Sequence, residues 1–135
     1  MLSKELYRIL DANFNRAKEG LRVGEDICRY VWDDKALTRG FKDARHELTQ
    51  VIEVLGIFKA LACRDINADV GRGTSASESK RKDLSAVFLA NAQRVKESLR
   101  VLEEVTKLID IKTADRLKHL RYRIYALEQK VLKKR

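Results

Sequence analysis

The stretch NFNRAKEGLRVGED, Asn13 to Asp26, has a near-double in NAQRVKESLRVLEE, Asn91 to Glu104. Residues 83 to 108 align on residues 5 to 30 without a gap, and Ala12, Asn13, Arg16, Lys18, Glu19, Leu21, Arg22, Val23 and Glu25 all recur at one offset. The next segments also correspond: FKDARHEL (41–48) lies over LKHLRYRI (117–124), which sets Lys42 on Lys118, Arg45 on Arg121 and His46 on Tyr122. A chain that writes a two-element unit twice is constrained to fold as two related halves, and its internal contacts are constrained to recur with them.

The units are helical. Leu6, Ile9, Leu10, Phe14, Ala17, Leu21 and Cys28 recur at helical spacing after Ser3, a suitable N-cap, and predict a helix over about 4–31. Asp33 and Asp34 can cap a second helix carrying Leu37, Phe41, Ala44, Leu48, Val51, Ile52 and Leu55, which ends or kinks at Gly56 with a short helical tail through Leu61. A third begins near Asp83 and carries Leu84, Val87, Phe88, Val95, Leu99, Leu102 and Val105. The fourth follows Asp110 or Thr113 with Leu117, Leu120, Ile124, Leu127 and Val131. The complete absence of Pro, with only 6 Gly in 135 residues, suits long helices. The expected fold is all-α: a four-helix assembly of duplicated two-helix units with pseudo-twofold symmetry, one domain over 1–135. Repeat one spans about 4–62, a long Gly-containing loop about 64–82, and repeat two about 83–133.

The net charge of +9 predicts attraction to phosphate-bearing partners without choosing among nucleotides, nucleic acid and membrane surfaces. Cys28 and Cys63 have neither CxxC nor metal-ligand spacing, so a zinc site and a disulfide framework are not indicated and a reducing cytoplasm is the expected home. The N-terminus is charged through its first turns, and no uncharged stretch is long enough to span a bilayer, so a soluble chain without a signal peptide is expected.

Within each copy the polar residues step by three: Asn13, Arg16, Glu19, Arg22, Glu25, and then Asn91, Arg94, Glu97, Arg100, Glu103. Neighbours at this spacing share adjoining helix surface, so each Arg is flanked by a carboxylate able to hold it. A solvated ladder of ion pairs is the plain reading. Against it, the copies keep Arg where Lys would serve and keep an Asn that makes no ion pair, and the planar guanidinium fork is what binds phosphate bidentately. Arg45, repeated as Arg121, is the stronger site residue of helix two, and His46 beside it the weaker. The loop offers Arg64, Asp65, Asp69, Gly71 and Arg72. Its GRGTSA (71–76) satisfies GxGxxA, but no strand precedes it and the dinucleotide reading fails. Backbone N–H groups at Gly71 and Gly73 can close on phosphates while an Asp holds Mg²⁺.

RILDANFNRAKEGLRVGEDICRY, the RD…DVG loop and LANAQRVKESLRVLEE closely resemble the small monofunctional hydroxymethylpyrimidine phosphate kinases of bacterial thiamin biosynthesis, domains often fused to thiamin phosphate synthase. With no synthase after Arg135, a stand-alone form is expected. The resemblance implies ATP-dependent phosphorylation of 4-amino-5-hydroxymethyl-2-methylpyrimidine phosphate to the diphosphate, with Mg²⁺, and no activity on the free alcohol. Its motif falls on Asp11, Asn13, Arg16, Glu19, Arg22, Glu25 and Asp26, on Arg45 and His46, on Arg64, Asp65, Asp69 and Gly71, and on Asn91, Arg94, Glu97, Arg100 and Glu103. Our own assignment of roles has Arg16, Arg94 and Arg45 clamping the substrate phosphate and transferring group. Glu19 or Glu97 orients them or binds Mg²⁺, Asn13, Asn91, Arg22, Arg100, His46, Gly71 and Arg72 contribute to phosphate binding, and the loop covers ATP with Arg64, Asp65 and Asp69, the two aspartates at the metal.

Two other classes compete. A basic helical module for RNA or DNA would present a continuous cationic stripe with aromatics for stacking, whereas these arginines alternate with carboxylates that repel a phosphate backbone. A structural bundle acting only by oligomerising would make the Arg/Glu ladder an interface. The expected partners are the small-molecule substrate and ATP, with self-association and coupling to thiamin phosphate synthase as further candidates, and neither a membrane nor a specific nucleic acid.

Overall fold

The computed structural model describes residues 3–56, 65–74 and 80–134, and among these every regular element is an α-helix. These are α1 (Lys4–Tyr30), α2 (Lys35–Leu55), α3 (Leu84–Thr106) and α4 (Ile111–Lys134). The residues following Gly56, where a helical tail was expected, lie outside the described part, as does Arg64.

Each start has a local cause. Ser3 Oγ accepts from the Leu6 amide, Asp34 from Leu37 and Asp83 from Ala86, each taking up an N–H that the helix leaves without a partner. Asp110 does the same for α4, accepting from both the amide and the hydroxyl of Thr113. The Thr113 hydroxyl, acting against the cost of burial, holds the Asp110 carboxyl below the ordinary aspartate value of 3.8. Gly56 closes α2 in the left-handed region, φ 69°, where a side chain is strained.

Neighbouring helices form a closed circuit: α1 packs on α2 and α3, and α4 on α3 and α2, while the backbones of the diagonal pairs stay apart. Residues near 24, 20 and 13 of α1 face residues near 88, 91–95 and 101 of α3, so these two run antiparallel. Every apolar position expected on α2 is buried. Phe88 stacks edge-on with Phe41 at 5.6 Å and lies 5.4 Å from Trp32, joining the halves through aromatic contact. Two expected core positions are wrong: Ile9 is 40% and Leu84 48% exposed. Both lie within the first two turns of their helices. Buried Asn13, Gly20 and Gly24 occupy the inward stripe of α1 that an apolar count passes over.

The repeat is visible as chemistry. Arg45 Nε donates to Glu25 at 3.0 Å across α1 and α2, and Arg121 Nε donates to Glu103 at 3.0 Å across α3 and α4. Glu25 and Glu103 are each 4% exposed, so neither carboxylate has bulk water to fall back on. Glu103, against the cost of burial, and then Tyr125 hold the Arg121 guanidinium above the ordinary arginine value. Removing one member of such a pair strands the other, whereas removing both does not. Glu103→Ala is therefore expected to lower the unfolding free energy by about 3 kcal/mol in urea denaturation, and Glu103→Leu combined with Arg121→Met by clearly less. Equal losses would show that the pair's charge is not what matters.

The Asp110 cap carries a pH signature. A carboxyl whose folded value is depressed contributes stability that is present above the unfolded value and lost as pH falls through the folded one. The Tm difference between wild type and Asp110→Ala is expected to hold steady near neutrality and to shrink below pH 3.8. A difference that persists unchanged into strong acid would remove the carboxylate from the account.

Candidate functional site

Where α1 crosses α3, an added Cβ on Gly20 would stand 2.6 Å from Val95 Cγ2 and 3.0 Å from the Asn91 carbonyl oxygen. Ser98, the counterpart of Gly20 in the repeat, is also small and 3% exposed. Side chains this small let the backbones approach closely, and the approach fixes what flanks the crossing. Arg16 comes from α1 and Arg94 from α3, and both line one cleft of about 540 Å³ together with Asn13, Glu97, Ser98, Asp69, Gly71 and Arg72. A neighbouring concavity of about 410 Å³ shares Asn13, Arg16 and Asp69 and continues past Arg8, Asp11 and Asp65.

Asn13 is 5% exposed, and its role is now legible. Its Nδ2 donates to the Ile9 carbonyl at 2.9 Å, which leaves Oδ1 to accept from Arg16 NH1 at 3.4 Å. The amide thus steadies a guanidinium without neutralising it. Among the described residues Arg16 has no other side-chain partner and Arg94 has none. The outer arginines differ. Arg22 lies 3.7 Å from Glu25 and Arg100 lies 3.1 Å from Glu104, each on a half-exposed surface. The ladder therefore divides, its outer rungs ion-paired and its inner arginines left for something else.

The loop residues 65–74 meet this cleft from the side of Asn13. Asp69 Oδ1 accepts from the Gly71 amide at 3.0 Å, Asp65 Oδ1 accepts from Ala68 at 3.0 Å, and Arg72 NH1 donates to the Ile66 carbonyl and to Asn67. Among the described residues no three His, Cys, Asp or Glu side chains converge as a ready metal cage. Mg²⁺ seldom needs one, since one or two carboxylates with substrate phosphates complete its shell. Asp65 and Asp69, each with one oxygen engaged and both lining the same concavity, fit that mode.

Other expected site residues fall elsewhere. Arg45, Glu19 and Arg22 line a separate groove between α1 and α2, so Arg45 does not join Arg16 and Arg94. Asn91 repeats the internal bond of Asn13, its Nδ2 donating to the Val87 carbonyl at 2.8 Å, but it is not among the residues lining the cleft. His46 is exposed on α2 and Arg100 on α3, and neither lines it. Arg64 lies outside the described residues. Ser98 and Arg8 were not expected; the signal for Ser98 was its alignment on a glycine.

Residues 8–130 match the ThiD2 family. The chain belongs to that family. It is 42% identical over 125 residues to a thiamine-phosphate synthase of Rhodopirellula baltica, a match covering 92% of this chain and 33% of that protein. With the thiamine-phosphate synthases of Thermosynechococcus vestitus and Synechocystis sp. it shares 44% identity over 127 and 126 residues, 93% of this chain and 35% and 36% of theirs. The chain thus spans about a third of the length of the curated relatives it matches. No solved structure matches it. Among the described residues no helix is long and apolar enough to cross a membrane.

If the approach at Gly20 holds the two arginines in register, Gly20→Val forces the helices apart. Overpacking of this kind is expected to cost about 3 kcal/mol, read as a lower urea midpoint. Unchanged stability would mean the crossing has slack that its contacts do not suggest.

Proposed function

We propose that this protein transfers the γ-phosphoryl group of ATP to 4-amino-5-hydroxymethyl-2-methylpyrimidine phosphate, forming the diphosphate and ADP in thiamin biosynthesis. The observation that carries this reading is the apposition of Arg16 and Arg94, two guanidiniums without carboxylate partners among the described residues, in one cleft beside Gly71 and Arg72. Family membership and relatives named for thiamine-phosphate synthesis support the pathway. The relatives' name does not assign the synthase reaction to this chain, because about two thirds of each relative lies outside the match.

The chemistry suits the residues. A phosphate monoester is ionised at neutral pH, so its oxygen attacks the γ-phosphorus without a general base, and the bond to the bridging oxygen of ADP breaks as the new P–O bond forms. What the protein must supply is alignment of two anions and neutralisation of their charge. Arg16 and Arg94 clamp the meeting phosphates, Asn13 sets the angle of Arg16, and the Gly71 and Arg72 segment closes over the nucleotide. Asp65 and Asp69 would hold Mg²⁺, which would supply neutralisation of phosphate charge. An acceptor without a phosphate would leave the clamp unpaired, so the free alcohol is expected to be rejected. A cytoplasmic setting and coupling to a thiamin phosphate synthase belong to the same reading.

Incubation of the purified chain with Mg·ATP and the pyrimidine monophosphate is expected to yield the diphosphate and ADP in equal amounts. Arg16→Lys and Arg94→Lys keep the charge but lose the bidentate fork. Each is expected to lower kcat/KM by on the order of a hundredfold, about 2.7 kcal/mol of transition-state stabilisation, with Tm little changed. Absence of diphosphate from folded protein would falsify the assignment.

A further inference from the structure

The two copies differ at one place where they ought to agree, the groove between the first and second helix of each unit. In copy two the cations of the groove are ion-paired. Lys96 Nζ bonds Glu128 at 2.9 Å and lies 4.9 Å from the Tyr125 ring, Arg121 is held by Glu103 with Tyr125 beside it, and Arg100 pairs with Glu104 at 3.1 Å. In copy one the aligned positions have lost these partners. Thr49 stands for Tyr125, Ile52 for Glu128, and Asp26 for Glu104, one methylene shorter and in no ion pair among the described residues. The cations remain: Lys18, Arg22 and Arg45 line an open groove of about 370 Å³. Lys18 touches only the Phe14 ring, at 5.4 Å, and has no carboxylate partner among the described residues.

Copy two sets Glu128 against Lys96 and Glu104 against Arg100, whereas copy one has Ile52 at the first position and at the second an Asp26 in no ion pair among the described residues. Arg45 gives only its Nε to Glu25, so its terminal nitrogens can still donate to a ligand. We propose that the α1–α2 groove of copy one is a second anion site, distinct from the Arg16 and Arg94 cleft, that takes the phosphate or diphosphate group of a small ligand on Lys18, Arg22 and Arg45. Its size suits one such group rather than a whole nucleotide. The proposal does not depend on the kinase reading, because it concerns binding on the opposite flank of α1 from the cleft.

The test is calorimetric titration of the full chain with inorganic diphosphate. Two independent sites are expected. Arg16→Gln with Arg94→Gln removes one and spares the other, whereas Lys18→Gln with Arg22→Gln weakens the second by at least about tenfold, as loss of charge-assisted bonds requires. Thr49→Tyr, which restores the ring found in copy two, is expected to remove the second site alone, and it decides the matter if the double charge variant fails to fold. Displacement of the groove-bound diphosphate by ATP identifies a nucleotide tail as occupant, and displacement by orthophosphate alone a free anion; each supports the site. A single site abolished by the Arg16 and Arg94 changes, undiminished binding in Thr49→Tyr, or no diphosphate binding at all overturns it, whatever the phosphotransfer assay shows.

Discussion

The close crossing of α1 over α3 is the contact on which the rest of the molecule turns. Backbones can approach this nearly only where a side chain is missing or small, and Gly20 and Ser98 supply those positions on the two helices. Because the helices run antiparallel, Arg16 and Arg94 flank the crossing from opposite directions and meet in one cleft. Neither Arg owes its place to a partner of opposite charge. Helix packing sets where the two positive charges stand, and a buried amide refines one of them.

The arginines of the repeat do different work according to depth. Arg45 and Arg121 reach buried carboxylates and tie each hairpin together, at a desolvation cost that good geometry offsets. Arg100 pairs with Glu104 on the exposed surface, a contact of the kind worth little individually, and the exposed Arg22 stands 3.7 Å from the buried Glu25. Only the inner pair is left without a carboxylate among the described residues. One residue type thus serves as internal tie, surface balance and cleft-lining cation, and the distinction lies in which helix lies opposite.

Much of the fold was legible because helical periodicity and capping are local. Ser3, Asp34, Asp83 and Asp110 each start a helix where a cap was expected, and the α2 stripe is buried throughout. What local reading misjudged were Ile9 and Leu84, apolar by type but exposed near helix beginnings. Within the candidate site, the duplicated Asn13 and Arg16 lie on the face of α1 that lines the cleft. The grouping of Arg45 with them did not follow from spacing, since membership of a cleft depends on which flank of α1 a second helix covers. Asn91 makes the same internal bond as Asn13 yet stands away from the cleft, a difference no alignment of the copies could contain.

The segment carrying Asp69, Gly71 and Arg72 lines the cleft, and its Asp69 also lines the adjoining concavity beside Asn13. Two like halves presenting like arginines would offer a bound anion two interchangeable orientations. A connector exists once per chain, so it cannot be duplicated along with the helices it joins. It therefore gives the cleft residues that the helix pairs do not duplicate, Asp69, Gly71 and Arg72.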